Sequence, residues 1–123
     1  MADRHDHLDA SVQIANERGS PSDYRALFSA LHGAELFFST SADGQRALLI
    51  PVGDDKNAVR LLTSRTSRLL GETYAGITWE NALRMVTKMP EVSGLIIQNS
   101  DDQWVAIDED AVEALLSSNA HNA

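Results

Sequence analysis

Ser20-Pro21-Ser22-Asp23-Tyr24-Arg25-Ala26-Leu27-Phe28-Ser29-Ala30-Leu31-His32-Gly33, followed at once by Ala34-Glu35-Leu36-Phe37-Phe38-Ser39-Thr40, is the stretch that decides the fold. Tyr24, Leu27, Phe28 and Leu31 fall at i, i+3, i+4 and i+7, the spacing of one helical face. Ser20 suits the cap, Pro21 the first helical position, and Asp23 completes a box-like pairing with Ser20. Gly33 is the terminator. The apolar period then changes to that of a strand over Glu35 to Thr40. A capped amphipathic helix running directly into a strand predicts helices packed on a sheet.

Working outward, Asp43-Gly44 supplies a turn, and Arg46 to Val52 reads as a second strand. Ala47-Leu48-Leu49-Ile50 is apolar at alternating and intervening positions alike, which predicts a central strand covered on both sides. Gly53 to Asn57 is a polar turn and Ala58 to Leu62 a third strand, antiparallel to the second. Thr63 or Ser64 is expected to cap a short helix through Leu70, followed by a connection around Tyr74 to Thr78. Trp79 to Lys88 is helical, stopped by Pro90. Ser93 to Gln98 and Gln103 to Ile107 form a hairpin around Asn99-Ser100-Asp101-Asp102. Asp108 caps a last helix, with Ile107 stapling onto Val112.

The expected class is α+β: a mixed or mainly antiparallel five-stranded sheet with helices packed on it, in the order α-α-β-β-β-α-α-β-β-α. Residues 1–19 form a polar segment or marginal helix with a thin stripe of Leu8, Val12 and Ala15. Residues 20–117 form one domain, and residues 118–123 are expected to be a disordered tail.

The chain has 123 residues, 43% of them apolar and 23% charged, which fits one globular domain with a real core. Its lack of cysteine excludes disulfides, thiolate metal sites and cysteine nucleophiles. A net charge of −8 opposes binding to nucleic-acid phosphates. No apolar run reaches the roughly 20 residues of a membrane span, and the start lacks an apolar signal core. A cytoplasmic protein without nucleic-acid or membrane partners is expected. Lys56 to Lys88 holds six basic residues against two acids, a net of +4, whereas Met89 onward holds seven acids and no Lys or Arg. Such asymmetry marks either a partner surface or two halves that attract each other.

No residue set is assigned a catalytic, cofactor or metal role. Asp3, His5, Asp6, His7 and Asp9 lie on a ragged terminus with nothing to fix a ligand geometry. His32 falls at a helix end, where the dipole favours it. Asp101 and Asp102 are turn residues, and Asp108, Glu109, Asp110 and Glu113 suit the start of a helix. No glycine-rich phosphate loop or nucleophile elbow is present. The polar group that stands out is Arg60, Ser64, Arg65 and Arg68, where guanidinium and hydroxyl groups gather around one turn and suit an anion or an acidic partner segment. Trp79 and Trp104 are the aromatic candidates for partner contact, set against a core role for each.

Tyr24-Arg25-Ala26-Leu27 through Ala34-Glu35-Leu36-Phe37-Phe38 resembles the opening helix and first strand of the SseB (enhanced serine sensitivity) N-terminal domain family. Leu48-Leu49-Ile50-Pro51-Val52 and Val59-Arg60-Leu61-Leu62-Thr63-Ser64 resemble its second and third strands. Gly94-Leu95-Ile96-Ile97-Gln98-Asn99-Ser100 and Trp104 to Leu116 resemble its closing elements. The resemblance spans about Ser22 to Ser117. It implies an α+β domain of a bacterial cytoplasmic protein, under a name that overlaps with type III secretion nomenclature, and it supplies no catalytic residue or cofactor. A non-enzymatic protein-interaction module is therefore the leading expectation, with a protein partner or a second copy as in a homodimer. A small acidic secretion-chaperone-like protein that binds an unfolded segment is the alternative, and an enzyme or anion-binding domain is third.

Overall fold

A computed structural model describes residues 4–44, 46–53, 56–64 and 69–122, with side chains from residue 8 to residue 117. Its elements are α1 (Arg4–Glu17), α2 (Pro21–Leu31), β1 (Glu35–Ser39), β2 (Leu49–Gly53), β3 (Lys56–Leu62), β4 (Tyr74–Thr78), α3 (Trp79–Thr87), β5 (Gly94–Gln98), β6 (Trp104–Asp108) and α4 (Glu109–Asn122). The class is α+β, with four helices and one mixed sheet. Among the described residues six strands are present rather than five. Tyr74 to Thr78, expected as a connection, is a strand antiparallel to β1, with Phe37 opposite Gly76.

The sheet runs β4-β1-β3-β5-β6, with β2 on β3 beside this path. β3 and β5 are parallel, and the other pairs are antiparallel. The expectation that the second strand is central and covered on both sides is corrected. Among the named strands β2 pairs only with β3, and its residues are half-buried or exposed.

No helix is seen in the described part of the expected Thr63–Leu70 element, and residues 65–68 lie outside the described residues. The Thr63 hydroxyl donates to Asp9 of α1, while the Thr63 N–H prolongs the pairing with β5 by donating to Gln98 O. At the other end, α4 continues to Asn122, where a disordered tail was expected.

All four helices share one core. Leu36 and Phe38 of β1, Val59 and Leu61 of β3, Leu95 and Ile97 of β5, and Val105 and Ile107 of β6 project to the same side by the two-residue alternation of strands. They pack with Leu8 and Val12 of α1, Leu27 and Leu31 of α2, Leu83 and Val86 of α3, and Val112 of α4. Trp79 is buried in this core and stacks on Phe28, with ring centroids 6.2 Å apart.

Two local devices fix the helices. At the start of α2, Ser20 Oγ accepts from Asp23 N and donates to Asp23 Oδ2 at 2.7 Å, while Ser20 N also donates to that carboxylate. The Ser20 hydroxyl bond, then the backbone bond and the Arg18 guanidinium 3.6 Å away, hold the Asp23 carboxyl below its ordinary value of 3.8 against the opposing effect of desolvation. For α1, a polar knot replaces the wide apolar face it lacks. Asn99, only 2% exposed, donates to Asp9 O and Gln103 Oε1 and accepts from Asp101 N and Gln103 N. Ser100 N donates to Asp9 Oδ1, and Asn16 Nδ2 donates to Trp104 O at 2.8 Å. α1 is thereby tied to the β5–β6 turn and to the end of β3.

Candidate interaction surface

The register of the strands places every second residue on the face of the sheet away from the helices. Three rows cross it: Leu62, Gln98 and Trp104; Arg60, Ile96 and Ala106; and Ala58, Gly94 and Asp108. Phe37 continues the first row from β1. Ile50 stands opposite Ala58 and so shares this face, which brings Leu48 and Val52 with it. None of these side chains belongs to the core cluster, although Ala58 and Leu62 are themselves buried. Among the described residues, the helices therefore cover one side of the sheet and leave the other to strands and connections.

That second face is mixed, but it carries most of the exposed apolar side chains. Among the described residues, five large apolar or aromatic side chains are exposed, and Leu48, Val52, Tyr74 and Trp104 on this face are four of them, with Trp104 at 52%. The fifth is Ile14 of α1. Phe37 and Tyr74 meet edge to face at 6.4 Å. Two shallow hollows mark the surface. One, of about 240 Å³, lies among Ser39, Leu48, Ile50, Arg60, Leu62 and Leu69. The other, of about 210 Å³, lies among Val52, Lys56, Ala58, Ile96, Ala106 and Asp108. Several large exposed apolar side chains on one sheet face are more than a surface meant only to meet water needs.

Arg60 stands in the middle. Its side chain lines the first hollow, and its Nε is buried without a hydrogen-bond partner among the described residues. A guanidinium half-removed from water gains from an aromatic face or an acceptor brought from outside. The charges around it are polarised: Lys56 lies at the β3 side of the lower row, and Asp108 at the β6 side. Asp108 Oδ1 also accepts from Ala111 N, capping α4.

Of the residues singled out in the sequence, Arg60 and Trp104 share this face, and Ser64 is half-buried just past the end of β3. Arg65 and Arg68 lie outside the described residues. Of the two roles weighed for Trp79, contact and core, it takes the core one, because the first turn of α3 points it under α2 at 2% exposure. Sequence reasoning missed Tyr74, Leu48 and Val52 as members of one surface. The available signal was the apolar run Leu48 to Val52, whose second face was credited with a cover that the fold does not provide.

Other polar groups have local structural duties. His32 Nδ1 lies 3.0 Å from Glu80 Oε1, which also accepts from Gly33 N and so joins the end of α2 to the start of α3. Among the described residues no group of three or more His, Asp or Glu is placed to hold a metal ion. The side chains of His5, Asp6 and His7, and all of Asp3, lie outside the described set. On the helical side, Phe38, Ala47, Leu49, Met85 and Met89 line a wide cleft of about 880 Å³, with Arg46 and Glu91 also in its wall. No helix of the described residues is long and apolar enough to cross a membrane. Compared with known proteins, the chain matches no family model, no curated protein and no solved structure.

Proposed function

We propose that this chain is a non-enzymatic protein-interaction domain of the SseB N-terminal type, acting in a bacterial cytoplasm and holding a protein partner on the helix-free face of its sheet. The observation that carries the reading is the gathering of Leu48, Val52, Tyr74 and Trp104 on the face that also contains Arg60. Exposed aromatic groups on the same sheet face as a partly desolvated arginine share the composition of interface centres, where a few such residues supply most of the binding energy. The contact proposed is the sheet face. The Arg60, Ser64, Arg65 and Arg68 group enters only through Arg60.

The test compares the tagged chain with a Tyr74→Asp, Trp104→Asp variant in a pull-down from native cytosol, after circular dichroism has shown both to be folded. A protein held in stoichiometric amount by the parent and released by the variant is the expected result. Equal retention by both, or nothing retained by either, overturns the reading. The alternative, a small acidic chaperone wrapping an unfolded segment, is favoured by the wide cleft with Met85 and Met89, since methionine adapts to varied apolar partners. It requires binding that responds to substitution of Met85 and Met89 and ignores Trp104.

A further inference from the structure

We infer that the wide cleft on the helical side of the sheet is a binding site for a small amphipathic carboxylate. The ligand class is a straight-chain fatty acid of about eight to twelve carbons, its head on Arg46 and its tail over Met85 and Met89. This site lies on the opposite side of the sheet from the face proposed for a protein partner, and it stands independently of that reading.

The cleft arises from a gap in the helical layer. Leu49 pairs with Val59 and Phe38 with Ala75, so all four face the helices. Val59 and Phe38 are buried, whereas Leu49 and Ala75 are only half-buried. α3 ends at Thr87 and reaches this corner through Met85, with Met89 following just beyond its end. What remains is a concave space of about 880 Å³ whose apolar lining packs directly against the core. That volume falls within the roughly 300–1,000 Å³ of small-molecule sites. Covering the half-buried side chains removes apolar surface from water, and unbranched methionines adapt to a flexible chain.

Arg46 selects the head group. The chain carries 18 acids against 10 basic residues, so an exposed arginine has many carboxylates to choose from. Yet among the described residues the Arg46 guanidinium forms no ion pair, not even with Glu91 in the same cleft. Asp43, three positions earlier, is engaged by the Ser41 hydroxyl. The Arg46 backbone is nonetheless fixed: its N–H donates to Ser41 Oγ and its carbonyl accepts from Ser41 N at 2.8 Å. A closed turn therefore presents an unpaired guanidinium fork beside an apolar cleft, and that fork matches a carboxylate with two parallel hydrogen bonds. Glu91 has the same charge as the ligand head and so turns it away from its own part of the wall. The tail is left to the methionines.

Methyl-labelled methionine tests this directly. The chain has three methionines, and two of them line the cleft. Sodium octanoate is titrated into the full chain to about 10 mM, with an expected dissociation constant near 1 mM. The methyl signals of Met85 and Met89, assigned through Met85→Leu and Met89→Leu, are expected to move together. The indole N–H signal of Trp104 is expected to stay in place. Decanoate should bind about fourfold more tightly than octanoate, since an open cleft covers only part of each added methylene. 1-Octanol, which lacks the charge, should bind about fivefold more weakly than octanoate. Arg46→Glu is expected to weaken octanoate about tenfold and leave 1-octanol unchanged, while Arg46→Lys falls between. Circular dichroism establishes that each variant is folded.

Still methyl signals at the highest octanoate concentration overturn the inference. So does equal binding of octanoate and 1-octanol, or an Arg46→Glu variant that binds octanoate as the parent does, because either reduces the cleft to non-selective apolar uptake. Methyl signals that answer an unfolded apolar peptide but ignore octanoate also overturn it, and assign the cleft to a protein segment. None of these results bears on the helix-free face, whose own test rests on Tyr74 and Trp104.

Discussion

Replacing Asn99 by alanine removes both donors and the acceptor of a side chain that is 2% exposed. Four hydrogen bonds disappear: two given, to Asp9 O at 3.0 Å and Gln103 Oε1 at 3.1 Å, and two received, from Asp101 N at 3.0 Å and Gln103 N at 2.9 Å. The Asp101 N–H sits in an exposed turn and regains water at little cost. The Gln103 side chain is half-buried and also reaches Glu17 Oε1, so it keeps a partner. Asp9 O and Gln103 N lose the bond that lies deepest. At about 1 kcal/mol net for each bond, and somewhat more for a group left dry, the loss comes to about 2–3 kcal/mol. That is a large share of the roughly 5–15 kcal/mol that holds a domain folded, and corresponds to a fall in Tm of about 10 °C. Urea unfolding followed by circular dichroism gives the total. Hydrogen exchange locates it, with protection expected to fall more in α1 than in α3 or the strands, because the same side chain joins α1 to the β5–β6 turn. A loss below about 0.5 kcal/mol, or unchanged protection in α1, would refute the claim that this knot anchors the helix.

Three further outcomes are expected. Ser20→Ala removes the α2 cap and is expected to cost about 1 kcal/mol near pH 7. Because the Ser20 hydroxyl keeps the Asp23 carboxyl below 3.8, the stabilisation from that carboxylate is complete above its unfolded value and is lost as pH falls through the lowered folded value; thermal scans from pH 5 to pH 2 should show the parent and Ser20→Ala converging. Gly94→Ala would drive a Cβ into Ile107 O, so the β5–β6 pairing must shift, and a loss of at least about 2 kcal/mol in denaturant unfolding is expected. The two tryptophans separate cleanly: Trp79→Ala should cost about 3–5 kcal/mol, while Trp104→Ala at micromolar concentration should leave unfolding within about 0.5 kcal/mol of the parent.

The helices and most strands were legible because each has a local signature. Ser20 with Asp23 marks the start of α2, Pro90 the stop after α3, and the polar turn at Asn99 to Asp102 the last hairpin. β4 was not recognised. Tyr74-Ala75-Gly76-Ile77-Thr78 alternates properly, but it is an edge strand with a glycine at its centre and few apolar groups to announce it. α1 was underrated for the opposite reason. Its apolar stripe of Leu8, Val12 and Ala15 is thin, and what holds it is a set of polar bonds to residues about ninety positions away, which periodicity does not see. Trp79 and Trp104 are the same residue type at the start of adjacent kinds of element, and only the packing of α2 over one and not the other tells them apart. The surface itself was half legible. The apolar run at Leu48 to Val52 was plain, yet whether anything lies on top of it depends on which side the helices choose.

The Asp9 contacts with Asn99 and Ser100 also govern the order in which the chain becomes a protein during its synthesis. α1 leaves the ribosome well before β5 and β6, and it carries Leu8, Val12 and Ala15, whose seats include those later strands. Until the β5–β6 hairpin emerges, those side chains have no completed site to enter, and long-range closure of this kind slows folding. A ribosome that stalls before Asn99 would hold a fragment with α1 unseated and its apolar stripe exposed, a form that chaperones and proteases distinguish from the finished domain.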